Sequence, residues 1–180
     1  SLFAVGIRAM KILLVQDHRR SGGTERETVL LANAFAAAGL AVTVVTFRPG
    51  WPLAPALART VQQRGLQGLD TKLDWFAPRF ATLLERFPAD IVLCMGRMAN
   101  CYAQGFVKEA RDRWPQLVVI GTMRTGKTLP WLFRRSLRAV HHIVANSRAA
   151  RTTLVKTYAL PAEKIAVIPN SLVSPATTTV

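Results

Sequence analysis

The sequence runs to 180 residues, the length of one domain with short ends. Half of its residues are hydrophobic, which excludes disorder, and 24 Lys and Arg against 10 Asp and Glu leave a net charge of +14. That excess points to anionic partners (nucleic acid, phosphorylated ligands or an acidic membrane surface) without choosing among them.

Residues 1–9 are apolar but short, precede Met10-Lys11, and read as an extension or tag remnant outside the domain. Lys11–Gln16 reads as a strand and Thr24–Ala38 as a helix, joined by the loop Asp17–Gly23. Thr28–Phe47 carries no charge and matches a membrane span in length, but Gly39 divides it into two periods. Leu30, Leu31, Ala34, Phe35 and Ala38 form a helical stripe, and Val42, Val44 and Val45 a β-branched strand. A helix, a glycine stop and a strand Val42–Phe47 describe it better. Arg48–Trp75, marked by Pro49, Pro52 and Pro55, reads as a long loop with one short helix.

Four further strands follow at Asp90–Met95, Leu117–Gly121, His142–Asn146 and Ile165–Ile168. Helices are expected over Arg79–Phe87, Met98–Trp114, Leu129–Ala139 and Ser147–Ala159. Short strands rich in Val, Ile and Leu, alternating with helices, predict an α/β, Rossmann-like, doubly wound parallel sheet of about six or seven strands. The domain is expected over residues 10–170, with 171–180 the start of a linker. Cys94 and Cys101 lack any zinc-ligand spacing and read as two buried, reduced thiols of a cytosolic protein. His141 and His142 would point to opposite faces of a strand, which disfavours joint metal binding.

Ligands of such sheets bind outside the carboxyl ends of the strands, so the loops there are the candidate site. In the first, Ser21, Gly22, Gly23 and Thr24 let a ligand approach the backbone and the free N–H groups of a helix start, with Thr24 a possible cap and His18 nearby. The same residues also fit a Gly-Gly turn with a capped helix and no ligand.

Gly121–Thr128 satisfies G-x-x-x-x-G-K-[ST] between a strand and a helix, the setting of a phosphate-binding P-loop. Against that reading, the next strand ends in Asn146, with no Asp for Mg²⁺, and Pro130 falls immediately inside the helix. A phosphate or substrate contact by Arg124 or Lys127 is the reading carried forward. Leu129–Ala139 mixes Trp131, Leu132, Phe133 and Leu137 with Arg134, Arg135 and Arg138. It fits a crossover helix packing its aromatics on the sheet, or a basic amphipathic helix lying on an anionic membrane. Glu25 and Asp90 are too isolated in sequence to argue as an acid–base pair.

Several segments together resemble, in order, the N-terminal domain of GT-B glycosyltransferases of family 4, over about residues 10–172. They are Met10-Lys-Ile-Leu-Leu-Val15, Ser21-Gly-Gly-Thr-Glu-Arg26, Pro88-Ala-Asp-Ile-Val92, Val144-Ala-Asn-Ser147 and Leu160-Pro-Ala-Glu-Lys-Ile165 leading to Ile168-Pro-Asn170. Gly96-Arg97-Met98 is similar to lipopolysaccharide-core glucosyltransferases. The resemblance implies retaining transfer of a sugar from a nucleotide-diphosphate sugar, a substrate rather than a cofactor, to a glycan or lipid acceptor. The acceptor would rest on this half, near Ser21–Thr24, Arg97, Arg124, Lys127, Asn146 and Ser147. The donor would be held by a second domain after Asn170, leaving this half inactive by itself.

Two departures stand out. Met123-Arg124-Thr125 occupies the place of the family's His-Gly, and Pro169-Asn170-Ser171-Leu172-Val173 that of its Pro-Asn-Gly-Val-Asp. The implied location is the cytoplasm, at the inner face of the membrane, with an anionic membrane surface as a partner. The competing readings are a P-loop nucleotide-binding fragment and a basic nucleic-acid-binding module. For the latter, neither aromatic residues interleaved with the basic ones nor a helix-turn-helix signature is visible, so no nucleic acid is expected.

Overall fold

The computed structural model describes residues 9–17, 22–78, 80–124 and 128–170. Seven parallel strands form one sheet: β1 (Lys11–Gln16), β2 (Ala41–Thr46), β3 (Gln62–Gly65), β4 (Ile91–Cys94), β5 (Val118–Met123), β6 (His142–Ala145) and β7 (Ile165–Val167). Their order across the sheet is β3-β2-β1-β4-β5-β6-β7. The chain reverses direction across the sheet between β1 and β4, which pair from Ile12↔Ile91 to Val15↔Cys94. The helices are α1 (Gly23–Ala37), α2 (Leu83–Arg86), α3 (Arg97–Asp112), α4 (Trp131–Ala139) and α5 (Arg148–Lys156).

Each central strand is apolar on both sides because both sides are covered. On β1, Leu13 and Val15 enter a core shared with α2, α3, α4 and α5, whereas Ile12 and Leu14 enter one shared with Val29 and Ala32 of α1. The period-2 alternation of the strand thus feeds two layers, the doubly wound arrangement expected. The apolar stretch after Thr28 resolves as argued. α1 ends, Gly39 adopts φ +83°, and β2 begins at Ala41. Among the described residues no helix is long and apolar enough to cross a membrane.

The region expected as a loop between Arg48 and Trp75 contains a strand, β3, as well as a 3-10 turn over Ala54–Ala56. β3 reads Gln62-Gln63-Arg64-Gly65 and lies at the sheet edge, where no apolar pattern is needed. Beyond it, Arg48 holds Asp70 through Nε (2.8 Å) and Nη2 (3.0 Å), and Asp74 through Nη1 (2.8 Å). Cys94 is fully buried as expected, but Cys101 on α3 is only half-buried. Burial, followed by the charge of Asp17, raises the pKa of both thiols.

Candidate functional site

A pocket of about 240 Å³ opens at the carboxyl ends of β1, β4 and β5, at the point where the strand order reverses. Its wall includes Thr24, Arg97 and Arg124 from the expected site, together with Gln16, Glu25, Asn100 and Thr122. The starts of α1, α3 and α4 meet around it, contributing Thr24 and Glu25, Gly96 and Arg97, and Pro130 and Phe133 respectively.

The start of α1 differs from expectation in one respect. Gly22, not Thr24, occupies the N-cap, and it brings no side chain to the free N–H groups of the first turn. Thr24 is already inside the helix and accepts the Thr28 hydroxyl on its carbonyl at 2.9 Å. Gly22 and Gly23 are exposed, and a Cβ on Gly23 would meet no atom within 4 Å. A Cβ on Gly22 would press on the Glu25 carboxylate at 2.7 Å.

The start of α3 is held from another strand. Met98 N–H donates to Asp17 Oδ2 at 2.6 Å, so a carboxylate at the end of β1 sits at the helix N-terminus. Gly96 makes this possible, because a Cβ there would lie 1.1 Å from Asp17 Oδ1. Asn100, one turn on, donates from Nδ2 to the Cys94 carbonyl (3.0 Å) and the Gly96 carbonyl (2.7 Å). Its Oδ1 accepts the Thr122 N–H at 2.9 Å, and the Thr122 hydroxyl donates to Cys94 O at 2.8 Å. The floor of the pocket is therefore a buried hydrogen-bond network spanning β4, α3 and β5.

Two buried donors in the wall lack partners among the described residues. Gln16 is fully buried; its Oε1 shares the Thr28 hydroxyl proton, at 3.1 Å, with the Thr24 carbonyl, while Nε2 has no acceptor among the described residues. Arg124 is 10% exposed at the side chain and its Nε is likewise without an acceptor, although Nη1 donates to Asn170 Oδ1 at 2.7 Å. Glu27 stands 3.8 Å from the same Nη1. Burial lowers the Arg124 pKa and the Glu27 charge opposes that shift. Buried donors are normally paired, so these two favour an oxygen-rich ligand.

The P-loop expectation does not survive the geometry. β5 continues through Met123, placing Gly121 and Thr122 inside the strand, and α4 starts only at Trp131. Gly121 serves close packing, since a Cβ there would lie 2.7 Å from Leu137 Cδ2 and 3.1 Å from Asn100 Oδ1. Pro130 is the residue before α4 rather than a residue inside it.

Asn146 and Ser147 follow β6 but do not line the pocket. Ser147 caps α5, its Oγ accepting the Ala150 N–H at 3.1 Å. His18, Ser21 and Lys127 lie outside the described residues, as do residues 1–8 and 171–180. Asp90 is remote from Glu25, at the amino ends of the strands, where its Oδ2 accepts the Lys11 N–H at 2.8 Å. Among the described residues no group of three or more His, Cys, Asp or Glu is placed to hold a metal.

Gln16 escaped the sequence reading because a polar residue that ends an apolar strand shows its role only once the strands are aligned. Asp17, Asn100 and Thr122 fall within the strand-end loops Asp17–Gly23, Gly96–Asn100 and Thr122–Thr128 expected to carry the site, though none of the three was singled out. Glu25 carried a signal, as the acidic residue of the Gly-Gly-x-Glu segment.

The sequence pattern of Glycosyltransferase Family 4 matches residues 21–172. The chain belongs to glycosyltransferase family 4. Solved structures similar to this family-4 domain include a glycosyltransferase from Rickettsia africae, with 19% identity and a TM-score of 0.63 over 90% of this chain. Anabaena HepE in complex with UDP and glucose aligns at 20% identity and 0.65 over 90%. The lipopolysaccharide outer core galactosyltransferase WaaB aligns at 15% and 0.64 over 91%. The alignments cover 43%, 45% and 46% of those proteins, so this family-4 domain spans less than half of each. At these identities the likeness is one of fold, and it is to one Rossmann-like half of a GT-B glycosyltransferase. No curated protein matches the sequence significantly.

Proposed function

We propose that this chain is the acceptor-side half of a retaining glycosyltransferase. The enzyme moves a sugar from a nucleotide-diphosphate sugar to a glycan or lipid acceptor of the cell envelope, on the cytoplasmic side. Residues 10–170 form the domain and a second domain beyond Asn170 holds the donor, which is a substrate; no cofactor takes part. Family membership supports the reaction class.

The observation that carries the assignment to this pocket is a pair of buried donors at the switch point, Gln16 Nε2 and Arg124 Nε, that have no partner among the described residues. Hydroxyl and phosphate oxygens are the acceptors such groups lack, and fixed donors stabilise phosphate charge as a sugar leaves. In this reading Glu25 accepts a sugar hydroxyl and Arg97 and Arg124 hold oxygens of the acceptor or diphosphate. The N–H groups of the first turn after Gly22 would serve the same substrate, as would Ser21 and Lys127, which lie outside the described residues. Asn146 and Ser147 would contact substrate beside the pocket rather than within it.

The test is sugar transfer by the full-length protein, with circular dichroism as the folding control. Gly23→Val is expected to abolish transfer with the fold intact. The protein leaves room for the new side chain, whereas displacing a substrate by about 1 Å costs on the order of a hundredfold in rate. Arg124→Ala is expected to lower turnover by about tenfold, the loss of one charge-assisted hydrogen bond of about 1.5 kcal/mol. Near-normal transfer by Gly23→Val would reduce the loop to a structural turn and move the site elsewhere.

A further inference from the structure

The bond between Arg124 and Asn170 joins two places far apart in the chain. Arg124 follows β5 and lines the pocket, whereas Asn170 follows β7. β6 lies between those strands in the sheet. The 2.7 Å contact from Arg124 Nη1 to Asn170 Oδ1 therefore crosses a strand end and does not continue the ladder.

Both ends of the bond are anchored by their neighbours. Arg124 directly follows Met123, which is buried, and Thr122 belongs to the floor network with Asn100. On the other side, the Ile168 N–H donates to the Ala145 carbonyl at 2.9 Å. Pro169 then fixes its own φ, which leaves little freedom between that bond and Asn170. The Asn146 N–H donates to Met123 O at 3.1 Å, so the ends of β5, β6 and β7 are tied in one row. Asn170 is exposed, and its side chain fills no part of the core.

An arginine gives up more rotamer freedom on being fixed than almost any other side chain. Its guanidinium is also a rigid plane, so holding one nitrogen sets the direction of the others. Asn170 holds Nη1, and the Glu27 carboxylate stands 3.8 Å from the same nitrogen. Nε is buried in the pocket wall without a partner among the described residues. Different nitrogens thus serve Asn170 and the pocket. Both contacts can exist together, and each makes the other less costly in side-chain order.

We propose that Asn170 is a positioning residue: it fixes the Arg124 guanidinium so that Nε meets a phosphate or hydroxyl oxygen in the pocket. In return, a filled pocket steadies the segment Ile165–Asn170, since coupling between two contacts is reciprocal. The class of ligand rests on the function proposed above. In that reading the connection to the donor-holding domain starts at Asn170, so occupancy of this half is felt where the two halves join.

The test uses the full-length protein, inorganic pyrophosphate as the probe, and hydrogen exchange of the amides between Ile165 and Asn170 as the readout. At saturating pyrophosphate, exchange in that segment is expected to slow about fivefold, the low end of couplings between sites. Asn170→Ala should bind pyrophosphate more weakly and show no slowing. Asn170→Asp keeps an oxygen for Nη1 and should retain the slowing. Arg124→Lys keeps the charge on a single nitrogen, which cannot hold both partners, and should bind without slowing. Because Asn170 is exposed, its alanine variant tests the proposal even if replacing Arg124 disturbs the fold. Equal slowing in the parent and in Asn170→Ala would overturn the proposal. So would pyrophosphate that binds the parent without slowing, or that does not bind it.

Sugar transfer by the same variants separates positioning from a role of Asn170 on its own. Asn170→Ala should lower kcat/KM less than Arg124→Ala does, and the double variant should be no worse than Arg124→Ala alone. Losses that multiply would show Asn170 acting for itself and sink the positioning role. Slowing that depends on Asn170, in a protein that transfers no sugar, removes the catalytic reading only. Transfer with no slowing removes the positioning role only.

Discussion

Gly121 shows how one residue can carry opposite readings. In sequence it opens a phosphate-loop spacing; in the fold it lies within β5, where its missing side chain lets Leu137 of α4 and Asn100 of α3 close on the strand. The spacing rule weighs residue types along the chain, whereas close approach is set by helices arriving from elsewhere. Arg124 was legible as pocket lining because a residue that directly follows a strand end lies at the carboxyl edge whatever the register. Gln16 was not, because a terminal glutamine of an apolar strand acquires its meaning only when Thr28 takes one end of its amide and leaves the other facing the pocket. Gly121→Val is expected to destabilise the domain by about 1–3 kcal/mol, the usual cost of overpacking. At this size that lowers Tm by roughly 2–4 °C per kcal/mol. Scanning calorimetry checks it, and an unchanged Tm would mean that β5 and α4 are free to separate.

Elements were legible in proportion to how fully they are buried. β1 was read to the residue, Lys11–Gln16, because it is central and apolar on both faces. β3 was missed because an edge strand of Gln62, Gln63, Arg64 and Gly65 has neither alternation nor a β-branched run. α4 was read as a helix, but the exposure of Trp131 and Leu132 depends on its rotation against α3, which periodicity alone leaves open. The junction from α4 into β6 makes its own contribution to stability. His141 donates its N–H to Val119 O at 3.0 Å and accepts the Val119 N–H on Nδ1 at 2.9 Å. Its pKa lies below the ordinary histidine value of 6.5, through burial first and then the positive charges of His142 and Lys164. The unfolded chain therefore binds this proton at higher pH than the native one. The stabilisation is complete above the unfolded pKa and is lost as pH falls through it towards the lower native value. Urea unfolding between about pH 7.5 and 5.5 should show a loss that His141→Asn reduces; identical pH dependence in the two proteins would show that the junction does not sense the proton.

At the scale of the whole molecule, the alternation of strand and helix was enough to specify a parallel, doubly wound sheet, and hence that the candidate pocket is to be sought at its carboxyl edge. The strand order, and with it the choice of β1 and β4 as the flanks of the pocket, was beyond local pattern, since every central strand has the same composition. The arrangement has a consequence for how the domain comes apart. Each central strand serves both layers: Val92 and Cys94 face the core under α2–α5, and Leu93, followed by Met95, faces the core under α1. Removing either helical layer would expose one side of β1, β2 and β4 together, at roughly 25 cal/mol for every Å² of apolar surface wetted. Neither layer has a sheet of its own to retain, so the two are expected to unfold in one transition. Tryptophans placed by the fold make this measurable. Trp51 is buried in the α1-side core and Trp114 packs against the other. With Trp75 and Trp131 replaced by Phe, Trp51→Phe and Trp114→Phe each leave a single reporter, one per layer. Urea transitions followed by either tryptophan should coincide with each other and with far-UV circular dichroism. An earlier transition at Trp51 alone would show that α1 and its Gly22-Gly23 start can detach while the rest stays folded, making the first wall of the pocket an independently opening unit.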